Sequence, residues 1–394
     1  MPIRWLVLFV VFVVRLAMGF QFQSVASSAD QLMSVFGFSY AEIGLLIGLF
    51  LVPGIVIAIP SGLLTSAFSD KTLLLFGALA MVVGAIVMGV TIDAHVLYVG
   101  RILTGIGAVL FNVILTKVVT DWFAGKEIMT ALGIMLTAWP IGIALGLMIQ
   151  GQVAEQFGWS WVMKLAAAVA LLALFVIATL YRDKPDLAAA KDGKLRFTLP
   201  RRQLLHVSVA GAIWTLFNSS LIVVVSFTPA ALEAGGLESD AARWATSLVM
   251  WATLISLPLG ARVMEVIGHV TVGIVATLFL SVCAIVCVSL NIAPLASCLL
   301  FGFAAGLPGG AMMAFSAQAT SADNRGLGLG VFFTWYYVGM AICPALAGSA
   351  RDLTGSATAP VLFAGALMLF TLLLVLLFRV MQKQWPIESQ AAAT

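Results

Sequence analysis

Charged residues are scarce in this sequence. Only 9% of its 394 residues are Asp, Glu, Lys or Arg, and 62% are hydrophobic, whereas an ordinary soluble domain is about a quarter charged and about half apolar. So few charged side chains do not cover a core of this size. The composition therefore excludes a water-soluble fold and predicts that most of the apolar surface faces lipid or neighbouring helices.

Cysteine is scarce as well, and the usual residues of enzymes are missing. The four cysteines lie inside apolar stretches, without the spacing of zinc or haem ligands, so we interpret them as small core residues. The chain also has no His-rich metal cluster, no Ser/His/Asp set in a plausible register and no nucleotide-binding loop. We expect no metal, no other cofactor, no nucleic-acid partner and no enzymatic activity.

Long hydrophobic runs are what the sequence has in abundance. Runs long enough to cross about 30 Å of hydrocarbon as helices recur along the chain, with approximate limits 3–25, 41–65, 72–91, 96–119, 127–150, 159–181, 204–230, 243–263, 270–290, 294–316, 327–349 and 359–381. We predict an all-α integral membrane protein with twelve transmembrane helices. A cytoplasmic linker (182–203) joins an N-terminal six-helix bundle (1–181) to a C-terminal one (204–381), and a cytoplasmic tail (382–394) follows.

The few cations are distributed unevenly between the predicted loops. If the N-terminus lies inside, the cytoplasmic loops and span ends hold fourteen Lys and Arg, seven of them in the linker, whereas the outer side keeps only Arg243 and Arg351. Cytoplasmic loops of membrane proteins accumulate cations. We therefore expect a multi-pass protein of the inner (plasma) membrane with both termini in the cytoplasm.

Two pairs of segments recur at nearly one offset. The segment from Trp139 to Gly142 in span five aligns with the segment from Tyr336 to Gly339 in span eleven, 197 residues later. Pro60 in span two aligns with Pro258 in span eight, 198 residues later. Transporter folds are commonly built from such duplicated halves, so the repeat predicts two pseudo-symmetric bundles.

Local motifs accompany the repeat. Arg101, Gly105 and Gly107 form an RxxxGxG element at the start of span four, and Asp121 and Glu127 flank the turn into span five. These motifs, with twelve spans and a charged linker, resemble the major facilitator superfamily over essentially the whole chain. The resemblance implies the major facilitator fold and secondary transport by alternating access.

One motif of that superfamily is degraded here. In its GxxxD(R/K)xGR(R/K) signature between spans two and three, Gly62 is present, Ser66 stands where Asp is expected, and only Asp70 and Lys71 supply charge. Within the superfamily, an arginine in the first span without a strongly acidic interior resembles the cyanate-porter-like and related organic-anion carriers.

Arg15 is that arginine, about twelve residues into the first span and so close to the bilayer centre. Because arginine does not deprotonate, its placement there costs about 2.5–3.5 kcal/mol unless it faces a protein cavity and meets an anion or carbonyls. A tie to carbonyls that holds a kink is the structural alternative. On a helical period of 100°, Gly19 and Phe22 share its face and Gln23 lies beside it, which predicts a groove.

Acidic residues are missing from the middle of every predicted span. Arg15 therefore has no evident carboxylate partner in the sequence, and an anionic substrate would supply the missing charge. A guanidinium presents a planar fork that suits a carboxylate or a similar oxyanion. We expect a small organic or inorganic anion as the substrate.

The remaining candidates are polar, aromatic or glycine residues inside spans. For substrate binding they are Asn112, Trp139, Asn218, Trp251 and Tyr336, each of which also fits ordinary helix packing. For structural or gating roles they are Arg101, Gly105, Gly107, Lys117 and Asp121; Lys117 precedes Asp121 by four residues, the spacing of an ion pair on one helix.

These observations predict a monomeric secondary carrier that moves a small anion across the lipid bilayer. An efflux carrier for hydrophobic compounds is one alternative, which the aromatic content favours and Arg15 disfavours. A receptor or sensor with a transporter's frame is another, although such proteins usually gain a soluble domain or a long loop.

Overall fold

The structure is a computed structural model that describes residues 3–57, 68–123, 127–184, 199–321 and 324–387. Within these ranges every regular element is helical. The twelve principal helices are α1 Ile3–Gln23, α2 Tyr40–Leu49, α3 Asp70–Val90, α4 Ala94–Trp122, α5 Ile128–Phe157, α6 Trp159–Leu180, α7 Arg201–Ala234, α8 Ser239–Ile267, α9 Val270–Ser289, α10 Pro294–Gly306, α11 Arg325–Thr354 and α12 Ala359–Gln384. The predicted all-α membrane fold is confirmed.

Each of the twelve predicted spans overlaps a helix among the described residues, and eleven helical stretches of those residues are long and apolar enough to cross a membrane. The predicted span 243–263 lies in α8, a helix of 29 residues that is not among the eleven. Pro60, Gly62 and Ser66, together with most of the predicted linker, lie outside the described residues.

Short segments interrupt or connect the long helices. A 3-10 turn, Ala26–Ser28, and a helix, Ala29–Phe36, follow α1; Pro53–Ile57 continues α2, and Gly309–Met313 and Phe315–Gln318 continue α10. The break in α2 ends at Pro53, which lacks a backbone N–H and is best tolerated in the first turn of a helix.

Polar residues at the helix starts explain where several helices begin. The Ser39 side chain accepts from the backbone N–H of Glu42, and the Glu42 carboxylate accepts from that of Ser39, a capping box that starts α2. Ser69 caps α3 and Asp93 caps α4 in the same way through a side-chain oxygen. Each cap satisfies N–H groups that have no partner within the helix.

The chain divides into two compact units, Met1–Gly193 and Lys194–Thr394. In the N-terminal unit α1 packs mainly on α5 and α6, and α3 packs on α4 and α6. In the C-terminal unit α7 packs on α11 and α12, and α9 packs on α10 and α12. The second pattern repeats the first with each helix advanced by six, as expected for duplicated halves.

Glycines at equivalent positions lie at contacts between equivalent helices in the two units. A Cβ atom at Gly105 would lie 2.5 Å from the carbonyl oxygen of Phe50, and one at Gly302, 197 residues later, would meet the carbonyl oxygen of Val249. A Cβ atom at Gly142 would meet the α1 backbone, and one at Gly339 would meet Thr215 of α7. The Gly105 and Gly302 correspondence supports the offset that the sequence repeat predicted.

Candidate substrate-binding site

Arg15 lies in α1 just before a stretch in which every residue is buried. Every residue from 17 to 25 is buried, whereas four of the five residues from 12 to 16, Arg15 among them, are half-buried. The Nη1 atom of Arg15 donates a hydrogen bond of 3.1 Å to Oδ1 of Asn112 on α4. The guanidinium is therefore partly accessible and is oriented by a neutral amide.

The face of α4 that carries Asn112 is polar and open. Thr116 and Thr120 follow Asn112 at intervals of four residues, and both are exposed. The hydroxyl of Thr116 donates to the backbone carbonyl of Asn112, and that of Thr120 donates to the carbonyl of Thr116, each at 2.8 Å. We call these three residues the α4 polar stripe, and Arg15 lies against its first member.

The other predicted residues of α1 do not line an open groove. Gly19, Phe22 and Gln23 are all buried. A Cβ atom at Gly19 would lie only 2.6 Å from the carbonyl oxygen of Trp139, so this glycine lets α1 and α5 approach closely. The helical period identifies the face that these residues share but not the helix that covers it, and their part in substrate binding stays a prediction.

Aromatic rings close around the end of α1. The Phe22 ring lies 5.4 Å from the Phe50 ring and 5.4 Å from the Trp139 ring. Trp139 is half-buried, whereas Phe22 is only 2% exposed. The structure thus brings Gly19, Phe22 and Trp139 together, and only the Trp139 side chain is partly accessible.

Arg101 is fully buried and serves as a tie between helices. Its Nε atom donates to the carbonyl of Leu46 at 2.9 Å, and its Nη atoms donate to the carbonyls of Gln21 at 3.3 Å and Phe22 at 2.9 Å. Its Cζ atom also lies 4.6 Å from the centre of the Phe50 ring, within the range of a cation–π interaction. These contacts join α4 to α1 and α2.

Two buried glutamines complete this tie and were missed by the sequence reasoning. Gln150 Nε2 donates to the carbonyl of Phe20 at 2.8 Å, and Gln21 Nε2 donates to the carbonyl of Met81 at 3.0 Å. The last carbonyls of a helix have no partner within it. An amide inside an apolar span is the available signal; it selects Asn112, Asn218 and Gln23, and the Nε2 of Gln23 lies 3.4 Å from the Ser27 hydroxyl.

Lys117 forms the predicted ion pair and a second one. Its Nζ atom lies 3.0 Å from Asp121 on the same helix and 2.8 Å from Asp70 at the start of α3. The Lys117 side chain is one-third exposed, so solvent screens both pairs. Lys117 therefore joins α3 to α4, and Gly107 lies at the same helix contact, where a Cβ atom would meet the carbonyl of Gly77.

The three candidates of the C-terminal unit lie on three helices. Asn218 donates from Nδ2 to the carbonyl of Trp214 at 2.7 Å within α7. The Tyr336 ring on α11 lies 5.2 Å from the Tyr337 ring. The indole Nε1 of Trp251 on α8 is buried without a hydrogen-bond acceptor among the described residues. Their part in substrate binding stays a prediction.

Metal-binding clusters of three or more His, Cys, Asp or Glu are absent from the part of the chain that the structure describes. All four cysteines are free thiols, and Cys298 and Cys343 are buried. The candidate site consists of the Arg15 guanidinium, the Asn112 amide and the hydroxyls of Thr116 and Thr120.

Comparison with known proteins agrees with this architecture. The family model described as Major Facilitator Superfamily matches residues 7–234 and 222–393, which is nearly the whole chain. A crystal structure of a bacterial homologue of the human lysosomal transporter Spinster, in an inward-facing and unoccupied conformation, superposes with a TM-score of 0.68 over 96% of each chain at 14% identity. At that identity the likeness shows the fold.

Two curated relatives are similar in sequence. Protein spinster homolog 3 of Mus musculus is 29% identical over 203 residues, which cover 50% of this chain but only 39% of the mouse protein. The 3-(3-hydroxy-phenyl)propionate transporter of Escherichia coli is 27% identical over 372 residues, which cover 90% of this chain and 89% of that protein. The second likeness extends over both units.

Proposed function

The chain belongs to the major facilitator superfamily and is a multi-pass membrane transporter rather than an enzyme, and we propose that it carries a small organic anion by alternating access. Arg15 is the proposed ligand of the anion's negative group. The family fixes the general activity, and the substrate class is inferred from the chemistry around Arg15.

The observation that carries the proposal is a partly accessible guanidinium in the middle of an apolar helix. Arg101 shows the alternative, since all its donor nitrogens are used by carbonyls in a fully buried position. Arg15 instead points a nitrogen at the Asn112 amide on the exposed face of α4. A guanidinium held in this way presents the fork that binds carboxylates.

One relative gives independent support for a carboxylate. The Escherichia coli protein that matches 90% of this chain is named for the transport of 3-(3-hydroxy-phenyl)propionate, and propionate is a carboxylate. An aromatic side chain also lies on the adjoining helix, because Trp139 is half-buried on α5, and its carbonyl oxygen faces Gly19, four residues after Arg15. An organic carboxylate is therefore favoured over an inorganic anion.

The transport cycle and orientation are part of the same proposal. The sequence has no nucleotide-binding loop, so we propose that a gradient or the exchange of one anion for another supplies the energy. The uneven distribution of Lys and Arg supports an inner-membrane protein with both termini in the cytoplasm. Lys117, Asp70 and Asp121 are proposed to hold α3 and α4 together during the cycle.

Uptake into vesicles reconstituted with the purified protein tests the substrate class. Labelled monocarboxylates and dicarboxylates are compared with the neutral amides of the same acids, and cyanate and nitrate are included as inorganic anions. Each compound is measured with and without a pH gradient. We expect uptake of carboxylates and none of the matched amides, because only the carboxylates satisfy a fixed positive charge. Uptake of neutral or purely hydrophobic compounds alone would contradict the proposal and favour the efflux alternative.

A further inference from the structure

We infer that the substrate lies along the α4 polar stripe, with its carboxylate on Arg15 and Asn112 and a hydroxyl group of its own on Thr116. The inference rests on the proposed function, because it assumes that Arg15 binds the carboxylate. It narrows the substrate class to hydroxylated organic acids and assigns Thr116 as a specificity-determining residue.

Asn112, the first residue of the α4 polar stripe, offers hydrogen-bond donors. The Oδ1 atom of Asn112 accepts from Arg15 at 3.1 Å, so the amide nitrogen of Asn112 points its two N–H groups elsewhere. That nitrogen donates to none of the described residues, and the side chain is half-buried. A guanidinium and an amide N–H side by side are complementary to the two oxygens of one carboxylate.

The next residue of the stripe offers an acceptor. A hydroxyl has one hydrogen and two lone pairs, and the hydrogen of the Thr116 hydroxyl is used in a bond of 2.8 Å to the Asn112 carbonyl. The Thr116 side chain is exposed, so its remaining capacity is to accept. A substrate that meets Thr116 therefore gains most if it brings a donor, and a neutral hydroxyl is the donor compatible with an overall anion.

The spacing sets the size of the substrate. Four residues of α-helix rise about 6 Å, so Thr116 lies about 6 Å and Thr120 about 12 Å along α4 from Asn112. An acid with its hydroxyl about 6 Å or slightly more from its carboxylate reaches Thr116 and not Thr120. Cyanate and nitrate span no such distance, so the inference is narrower than the proposed function.

Competition in reconstituted vesicles tests the inference. The labelled compound is a carboxylate that is taken up in the screen described above, and the unlabelled acids compete for its uptake. The probes are 3-(3-hydroxyphenyl)propionate and 3-phenylpropionate, which differ by one hydroxyl. We expect the wild-type protein to favour the hydroxylated acid by about fivefold or more, the effect of one hydrogen bond. Thr116→Val should remove this preference, and Thr116→Ser, which keeps the hydroxyl, should retain it.

Thr179→Val serves as the matched control. It removes an exposed hydroxyl with the same bond geometry on α6, outside the proposed site, and should keep the preference. Size-exclusion profiles establish that each variant is folded, and Thr116→Ala replaces Thr116→Val if the latter is not.

The outcomes separate the inference from the proposed function. Equal competition by the two acids in the wild type, competition by neither acid, or an unchanged preference in Thr116→Val overturns the inference. If Arg15→Ala still transports both acids, the proposed function fails as well. Loss of both acids in Arg15→Ala with an unchanged preference in Thr116→Val overturns the inference alone.

Discussion

Arg15 and Arg101 carry the same charge inside apolar helices, yet their surroundings differ. Arg101 is fully buried, and its three hydrogen bonds all end on backbone carbonyls. Arg15 is half-buried and contacts a side-chain amide on an exposed helix face. Backbone carbonyls hold Arg101 in a fully buried position, whereas the partly accessible Arg15 is the residue for which we propose substrate binding.

Replacement of Arg101 by alanine should destabilise the protein strongly. The change removes three buried hydrogen bonds and the contact with the Phe50 ring, a loss on the order of 3 kcal/mol. Thermal unfolding of the purified protein in detergent measures it. Arg4→Ala is the control, because the exposed pair of Arg4 with Glu127 should contribute well under about 1 kcal/mol. Equal melting temperatures for the two variants would contradict the tie.

At the scale of helices, close contacts between backbones position the site. The residues that face Gly142 belong to α1 on either side of Gly19, only four residues after Arg15. Glycine lets helices approach this closely because it has no Cβ. The position of the Arg15 guanidinium relative to α4 therefore depends on a helix contact that contains no charged group.

Gly142→Ala should consequently impair both stability and transport. Its Cβ would collide with backbone atoms of Leu16 and Phe20, which do not move aside as a flexible side chain would. Gly133→Ala on the same helix is the matched control, since a Cβ there would meet no atom within 4 Å, and alanine is the better helix former by about 1 kcal/mol. Melting temperature and uptake rate are measured for both variants, and comparable values for the two would refute the role of this contact.

Helix positions were largely predictable from the sequence, whereas helix neighbours were not. Apolar runs and their flanking polar residues located the helices, because bilayer thickness fixes the length that a span needs. The same runs gave no information about the partner of each face. Gly19, Phe22 and Gln23 were accordingly assigned to a groove, although the structure packs them against other parts of the N-terminal unit.

Hydrogen bonds and ion pairs between residues far apart in the chain could not be predicted from the sequence either. The Lys117 and Asp121 pair was predictable because both residues lie on one helix four residues apart. The bonds of Arg15 to Asn112 and of Lys117 to Asp70 join residues far apart in the chain. Only the folded backbone brings these residues together, so no local sequence pattern predicts these two contacts.

At the scale of the whole molecule, the two units share a packing scheme but not their polar residues. Gly105 and Gly302 occupy equivalent places, whereas Arg101, four residues before Gly105, corresponds to Cys298, four residues before Gly302. The Arg15 position has likewise no cation near its equivalent in α7, where Ala212 stands 197 residues later. Duplication thus explains the shared frame, and the cations of the N-terminal unit give the carrier its proposed preference for anions.

The most direct test of that preference is the uptake of a labelled carboxylate by vesicles that contain the wild type, Arg15→Ala or Arg15→Lys. Lys164→Ala, which removes an exposed cation from α6, is the matched control. We expect both Arg15 variants to lose uptake while they remain folded, since lysine lacks the planar fork, and we expect the control to transport normally. Full uptake of the carboxylate by Arg15→Ala would contradict the account.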